Sequence, residues 1–190
     1  MNLLICTNNS HKVQEISGFF KGYEIKSFKD LAGFKAPEET SLFFQGNALL
    51  KATAGYKASG ELSLADDSGL EVYALGLKPG VFSSRYAGEN ATDMANNEKL
   101  LKRLKGEKDR RARFVSVLAL VGSKKVLVVT GIVEGVILEE PRGDNGFGYD
   151  PLFYIPELDK TMAELTLEEK NRISHRGRAL VKLAEKLKSY

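Results

Sequence analysis

The chain has one cysteine, Cys6, among its 190 residues, so no intramolecular disulfide can form. Cys6 lies in the apolar run at 1–6, where a buried structural thiol is the ordinary expectation, and the chain fits a reducing compartment. No apolar run approaches the roughly 20 residues that span a bilayer. The run at 1–6 is also far shorter than a signal-peptide core, so a cytoplasmic protein is expected. An excess of charge is missing as well: 28 basic and 25 acidic residues leave a formal net charge of +3, too close to balance for a nucleic-acid groove or a membrane-binding face. One cysteine and two widely spaced histidines offer no zinc pattern. The order strand, G-x-G-x-x-G, helix of a dinucleotide fold is absent. No internal repeat, low-complexity tract or linker divides the chain, which reads as one domain over 1–190.

What is present is ordinary globular material, 43% hydrophobic and 28% charged, enough for a folded core. Met1 to Thr7 reads as a buried strand that ends in the polar cluster Thr7-Asn8-Asn9-Ser10. A helix over Lys12 to Phe20 follows, with Val13, Ile16, Phe19 and Phe20 as its apolar residues. Such a loop leaves N–H groups at the helix start, where a phosphate is a suitable guest. A second helix is expected over Ser41 to Ser59, packing through Leu42, Leu49, Leu50 and the alanines at 48, 52 and 54. It places Asn47 and Lys51 one turn apart, towards the acidic pair Glu38-Glu39. Strand segments are expected at 63–65 and 70–75, with a turn at Pro79-Gly80. Thr92 reads as the N-cap of a helix that ends near Leu104. Phe114 to Val121 and Val126 to Leu138 read as a hairpin about Gly122-Ser123-Lys124-Lys125. After a Gly- and Pro-rich aromatic loop at 141–156, the T-x-x-E box of Thr166 and Glu169 opens a final amphipathic helix. The basic run from Lys102 to Arg113 has no interleaved aromatics and reads as a solvated helix end and loop.

Asp66 and Asp67 are unexpected inside an apolar segment, because aspartate is a poor strand former and a buried carboxylate needs a counter-charge. Neighbouring side chains on a strand face opposite ways, so one carboxylate is expected in a site while the other orients the loop. A surface turn at Asp67-Ser68-Gly69 fits the same residues. The pairs Glu38-Glu39 and Asp66-Asp67, with Asp150, supply hard oxygen donors that suit Mg²⁺ completed by phosphate and water. Lys12, Lys51, Asn9 and Asn47 complement such an ion as phosphate partners. In Asn145-Gly-Phe-Gly-Tyr-Asp150-Pro, glycines flank Phe147, which suits either an aromatic held against a planar ligand or one plugged into the core. His175 and Arg176 stand at the start of the last helix, where the dipole disfavours them and a binding role would offset the cost.

Read in order, TNNSHKVQE at 7–15, EETSLFFQGNALLKA at 38–52, LADDSGLEV at 64–72, PGVFSSRYAG at 79–88, GFGYDPLF at 146–153, AEL at 163–165 and EEKNRISHRGRAL at 168–180 resemble the inosine triphosphate pyrophosphatase family. Small departures occur at Ser84 and Asp144. The resemblance implies an α/β fold with a central mixed sheet flanked by helices, two lobes about a substrate cleft and a homodimer. It also implies Mg²⁺-dependent conversion of ITP, dITP or XTP to the monophosphate and pyrophosphate. On that basis Thr7, Asn8, Asn9, Ser10, His11 and Lys12 form the triphosphate loop, with Asn47, Lys51 and Ser68 as further substrate contacts. Glu39 and Asp67 become the magnesium carboxylates, Asp67 with Lys12 the catalytic residues, and Asp66 a supporting residue. Phe147, Gly148, Tyr149, Asp150, Lys170, His175 and Arg176 become the nucleoside pocket. Arg176 and Lys170 only donate hydrogen bonds, so a 6-oxo purine suits them and the 6-amino group of adenine does not.

Overall fold

The computed structural model describes residues 2–188, so Met1, assigned by sequence to the first strand, lies outside the described residues. Strand β1 (Asn2–Ile5) buries Leu3, Leu4 and Ile5 completely and leads into α1 (Ser10–Ser17). The helix occupies 10–17 rather than 12–20, because Asn9 caps it and the chain leaves the helix at Gly18. Phe19 and Phe20 follow in tight turns and still pack on the core. β2 (Glu24–Ser27), which no periodicity announces, pairs in parallel with β1. α2 (Phe44–Ser59) ends on Gly60 at φ +69, the left-handed conformation glycine adopts without strain. Its buried face is Phe44, Asn47, Ala48, Lys51, Ala52 and Gly55, whereas Leu42, expected inside, precedes the helix and is 71% exposed.

β3 (Leu62–Val72) is one continuous strand. The expected break at the Asp-Asp-Ser-Gly step does not occur, so the turn reading fails there. The strand pairs in parallel with β1, Ile5 opposite Leu64, and at its far end antiparallel with β4 (Lys78–Pro79). α3 (Asp93–Arg103) starts at Thr92, whose hydroxyl accepts from Ala95 N–H as the sequence predicts. β5 (Arg111–Gly122) and β6 (Lys125–Ile137) are neighbours in the sheet, and the end of the aromatic loop forms β7 (Phe153–Ile155), after which comes β8 (Lys160–Thr161), both antiparallel. The capping box of Thr166 and Glu169 opens α4 (Leu167–Ile173), not one long helix. Ser174 leaves the helical conformation at ψ 161, and α5 (His175–Lys188) then begins.

The strands form one mixed sheet in the order β2-β1-β3-β5-β6-β7-β8, with β4 on β3. The α/β expectation of a mixed sheet flanked by helices therefore holds. The chain divides into two compact units, Met1–Asp67 with Ser116–Gly131 and Arg176–Tyr190, and Ser68–Val115 with Ile132–His175. In the first, Ile16 of α1 and Leu180 and Leu183 of α5 cluster with Leu3, Ile5, Leu64 and Leu118. Complete burial of each such leucine or isoleucine contributes on the order of 1.5–3 kcal/mol. α2 packs against the alternate residues of the same strands: a Cβ added to Gly55 would lie 2.4 Å from Cys6 Sγ and 3.0 Å from Leu4 Cδ2.

The second unit has its own core, in which Leu70 and Val72 meet Leu100 of α3, Leu104 at its C-cap and the ring pair Phe114 and Phe153, 4.4 Å apart. Its basic run is less solvated than expected. Arg110 donates to the carbonyls of Leu104, Ile137 and Leu138, and Arg113 pairs with Glu71 at 2.7 Å. No helix among the described residues is long and apolar enough to cross a membrane.

Candidate active site

β1 ends level with Leu64, so the loop that follows runs on beside Asp66; Cys6 N–H donates to Leu64 O at 2.7 Å. The loop is shaped from within. Thr7 Oγ1 accepts from Asn9 N–H, and Asn9 Oδ1 accepts from His11 and Lys12 N–H. Those helix-start donors, which the sequence offered to a phosphate, are thus engaged by Asn9. Asn8, Ser10 and His11 are exposed on the loop, and Lys12 supplies its cation.

Asp66 and Asp67 differ because strand alternation turns them to opposite faces of β3. The side of Asp66 is the one covered by α1 and α5. Its carboxylate accepts from Ser116 Oγ at 2.6 Å and from Arg176 Nη2 at 3.0 Å, and it pairs with Lys12 Nζ at 2.9 Å. Arg176 is also bonded to Glu15. Burial pushes the Asp66 carboxyl up, but Arg176, Lys12 and Ser116 outweigh it and hold the group well below the usual carboxylate range. Burial pulls the Lys12 ammonium down, and the neighbouring Lys51 and Arg176 charges keep it down despite Asp66.

Asp67 faces α2. Its Oδ1 lies 2.8 Å from Lys51 Nζ, and its Oδ2 accepts from Asn47 Nδ2 at 3.3 Å. Glu39 Oε1 approaches the same ammonium at 2.7 Å. The approach of that segment is fixed by Asn47, which accepts from Ser41 N–H and donates to Ser41 O. Burial raises the Asp67 pKa and Glu39 adds to the rise, with Lys51 opposing. Burial lowers the Lys51 ammonium, but Asp67 and Glu39 more than restore it, so it stays charged. Lys51 and Asn47 are buried on a helix whose leucines, Leu49 and Leu50, are only half-buried, because their partners are there.

Of the hard oxygen donors named by sequence, Glu39 and Asp67 converge on one point. Asp66 is taken by Arg176, Lys12 and Ser116, and Glu38 is exposed. Among the described residues no group of three or more metal-binding side chains exists. Two carboxylates with one shared ammonium nevertheless suit Mg²⁺, which commonly takes one or two protein carboxylates and completes its shell with phosphate and water.

In the second unit, Asp150 Oδ2 accepts from Lys170 Nζ at 2.6 Å and from Phe147 N–H at 2.9 Å, and all but closes the space beside Gly146, where a Cβ would lie 2.1 Å from it. Lys170 Nζ also stands 4.8 Å from the Phe147 ring centroid. The two loop aromatics differ in burial. Tyr149 is buried, its hydroxyl donating to Ser83 O at 2.9 Å, and Phe147 is half-buried under Lys170. His175 is buried and stacks on Phe114 at 4.8 Å. Ser68 is half-buried within β3.

Arg176 and Lys170, proposed by sequence as base donors, are thus both held by carboxylates. Sequence reading passed over Glu15, Ser116, Asp93 and Asn97, all of which hold these residues or their loops. The available signals were a glutamate three residues from Lys12 on α1, a serine within an apolar strand, and adjacent asparagines inside a helix.

A mixed sheet that carries a capped polar loop, a two-faced aspartate pair and an aromatic glycine loop defines the class: the chain belongs to the Ham1 family, whose model matches residues 3–186. Within it, the chain is 50% identical over 187 residues to the dITP/XTP pyrophosphatase of Thermoanaerobacter pseudethanolicus, covering 96% of this chain and 94% of that one. It is 49% identical over 191 residues to the dITP/XTP pyrophosphatase of Bacillus subtilis, covering 98% and 96%. The Staphylococcus aureus Ham1 protein superposes with a TM-score of 0.90 at 44% identity, covering 100% of this chain and 99% of that one. A HAM1 protein from Coxiella burnetii gives 0.91 at 42%, with full coverage of both.

Proposed function

We propose that this chain hydrolyses unusual purine nucleoside triphosphates, ITP, dITP and XTP, to the monophosphate and pyrophosphate, clearing them from the nucleotide pool. The observation that carries the reading is the convergence of Glu39 and Asp67 on Lys51 beside a capped, lysine-bearing loop. The relatives at about half identity, both dITP/XTP pyrophosphatases, support it. The loop Thr7 to Lys12 holds the triphosphate, and Lys12 and Lys51 offset charge that develops on pyrophosphate as it leaves. Glu39 and Asp67 would hold Mg²⁺, which when bound neutralises phosphate charge. Asp67 takes the proton from the water that attacks the α-phosphorus, and the bond to the pyrophosphate oxygen breaks. No covalent intermediate is required.

Base choice belongs to Phe147–Asp150, His175 and the donor Lys170, whereas Arg176, named with them by sequence, is buried and engaged by Asp66 and Glu15. A 6-oxo purine accepts from a donor such as Lys170, and adenine sets donor against donor, a mismatch that should cost on the order of 1–3 kcal/mol when buried. The same reading takes residues 1–190 as one catalytic domain, active as a homodimer in the cytoplasm.

A panel of ITP, dITP, XTP, GTP and ATP with product identification tests the function. IMP and pyrophosphate from ITP, lost with EDTA and restored by Mg²⁺, is the expected result. Release of orthophosphate would indicate another nucleotide phosphatase, and binding without product a nucleotide-binding module.

A further inference from the structure

Asp93 and Asn97 lie one turn apart on α3 and so share a face. Both reach the same residue of the aromatic loop. Asp93 Oδ2 accepts from Gly148 N–H at 2.7 Å, and Asn97 Nδ2 donates to Gly148 O at 2.9 Å. Both main-chain groups of Gly148 are therefore held by one helix. Asn96 does the same for another segment, accepting from Ala87 N–H at 2.8 Å and donating to Ser84 O at 3.1 Å. Asparagine and aspartate are weak helix formers, and these three all direct their side chains to backbone outside the helix.

Gly148 sits at φ +64, in the left-handed region, between Tyr149 and Phe147. Tyr149 is anchored in the core through Ser83. A glycine has the widest choice of backbone conformation of any residue, so the torsions at 148 decide how Phe147 is presented. The two bonds from α3 remove that choice.

We propose that Asp93 and Asn97 are positioning residues that fix the Gly148 peptide and, through it, the aromatic surface that receives the purine base. This rests on the reading of the Phe147 loop as the base site. Neither residue touches the substrate. Their effect falls on binding of the base and not on the chemical step.

The test uses the full chain with Mg²⁺ and compares Asp93→Ala, Asn97→Ala, Asp93→Asn and Phe147→Ala. The readouts are kcat and KM for ITP, the inhibition constant of base-free ribose 5′-triphosphate against ITP, and the melting temperature. Asp93→Ala and Asn97→Ala are expected to raise KM about tenfold with kcat within about twofold, the pattern of lost uniform binding. The inhibition constant should not move, and Asp93→Asn, which keeps an acceptor for Gly148 N–H, should recover most of the KM. If Phe147→Ala raises KM and the α3 variants do not, the clamp is refuted while the base site stands. If Phe147→Ala leaves KM unchanged, the base-site reading falls and the clamp with it. An equal rise in KM and in the inhibition constant, or a lower melting temperature with no recovery in Asp93→Asn, assigns α3 a purely structural role and overturns the proposal.

Discussion

Lys51 Nζ lies 2.8 Å from Asp67 Oδ1, in a pair that is buried on both sides. Glu39 competes for the same ammonium at 2.7 Å, so Asp67 is held close to a cation without owning it. Replacing Asp67 by Asn keeps the shape and removes the charge and the proton acceptor. Turnover of ITP should fall by about 10²–10⁴, the contribution of a general base, while the thermal midpoint stays near that of the parent. Near-normal turnover would remove Asp67 from the mechanism.

Arg176 makes the opposite kind of pair. It is 1% exposed and is shared by Asp66 and Glu15, which are themselves buried. Arg176→Met would leave carboxylates in the interior without their largest counter-charge, at a cost of about 3–5 kcal/mol. Urea unfolding of the variant should show that loss as a lower midpoint at unchanged slope. A midpoint within error of the parent would mean that Lys12 alone compensates Asp66.

Gly55 and Cys6 are matched in size across the contact between α2 and β1. A Cβ at 55 would come within 2.4 Å of Cys6 Sγ, so Gly55→Ala alone overpacks the contact and should cost about 1–3 kcal/mol. Cys6→Ala opens a small void. The double variant should be more stable than the sum of the single losses by about 0.5 kcal/mol or more. Strict additivity in denaturant melts would contradict the packing described.

Burial also pushes the Cys6 thiol up from 9.0 to about 12, against weaker pulls from Ser63 and Lys51. The folded thiol is therefore neutral at pH 8, and iodoacetamide should leave it unmodified until the chain is unfolded. The folded pKa lies above the unfolded one, so this contribution to stability is full below pH 9 and is lost as pH rises from 9 towards 12. Rapid alkylation of the folded chain at pH 8 would show that the thiol is accessible.

The local features were legible in the sequence. The polar loop before α1, the Thr92 cap, the box of Thr166 and Glu169 and the long strands all depend on neighbours a few residues away, and all are present. The failures share a cause. Asp66 and Asp67 read as an interruption between two strand segments because a short window cannot see Arg176 or Lys51, whose charges let both stay within a strand. Asn47 and Lys51 displaced the expected leucines from the buried face of α2 for the same reason. In α3 the apolar residues announced the helix, but the aspartate and asparagines showed their use only once Gly148, distant in sequence, lay beside them.

The alternation of β3 sets two neighbouring carboxylates to unlike tasks, one locked among cations and one left to share a single ammonium. Their assignment is a matter of parity and not of residue type. Asp66 and Asp67 are chemically identical, and a one-residue slip of the strand would turn each to the face the other now occupies. Descendants of this chain can therefore explore substitutions along 62–72 outside the pair, but a single inserted or deleted residue upstream of it would turn each aspartate to the opposite face of the sheet.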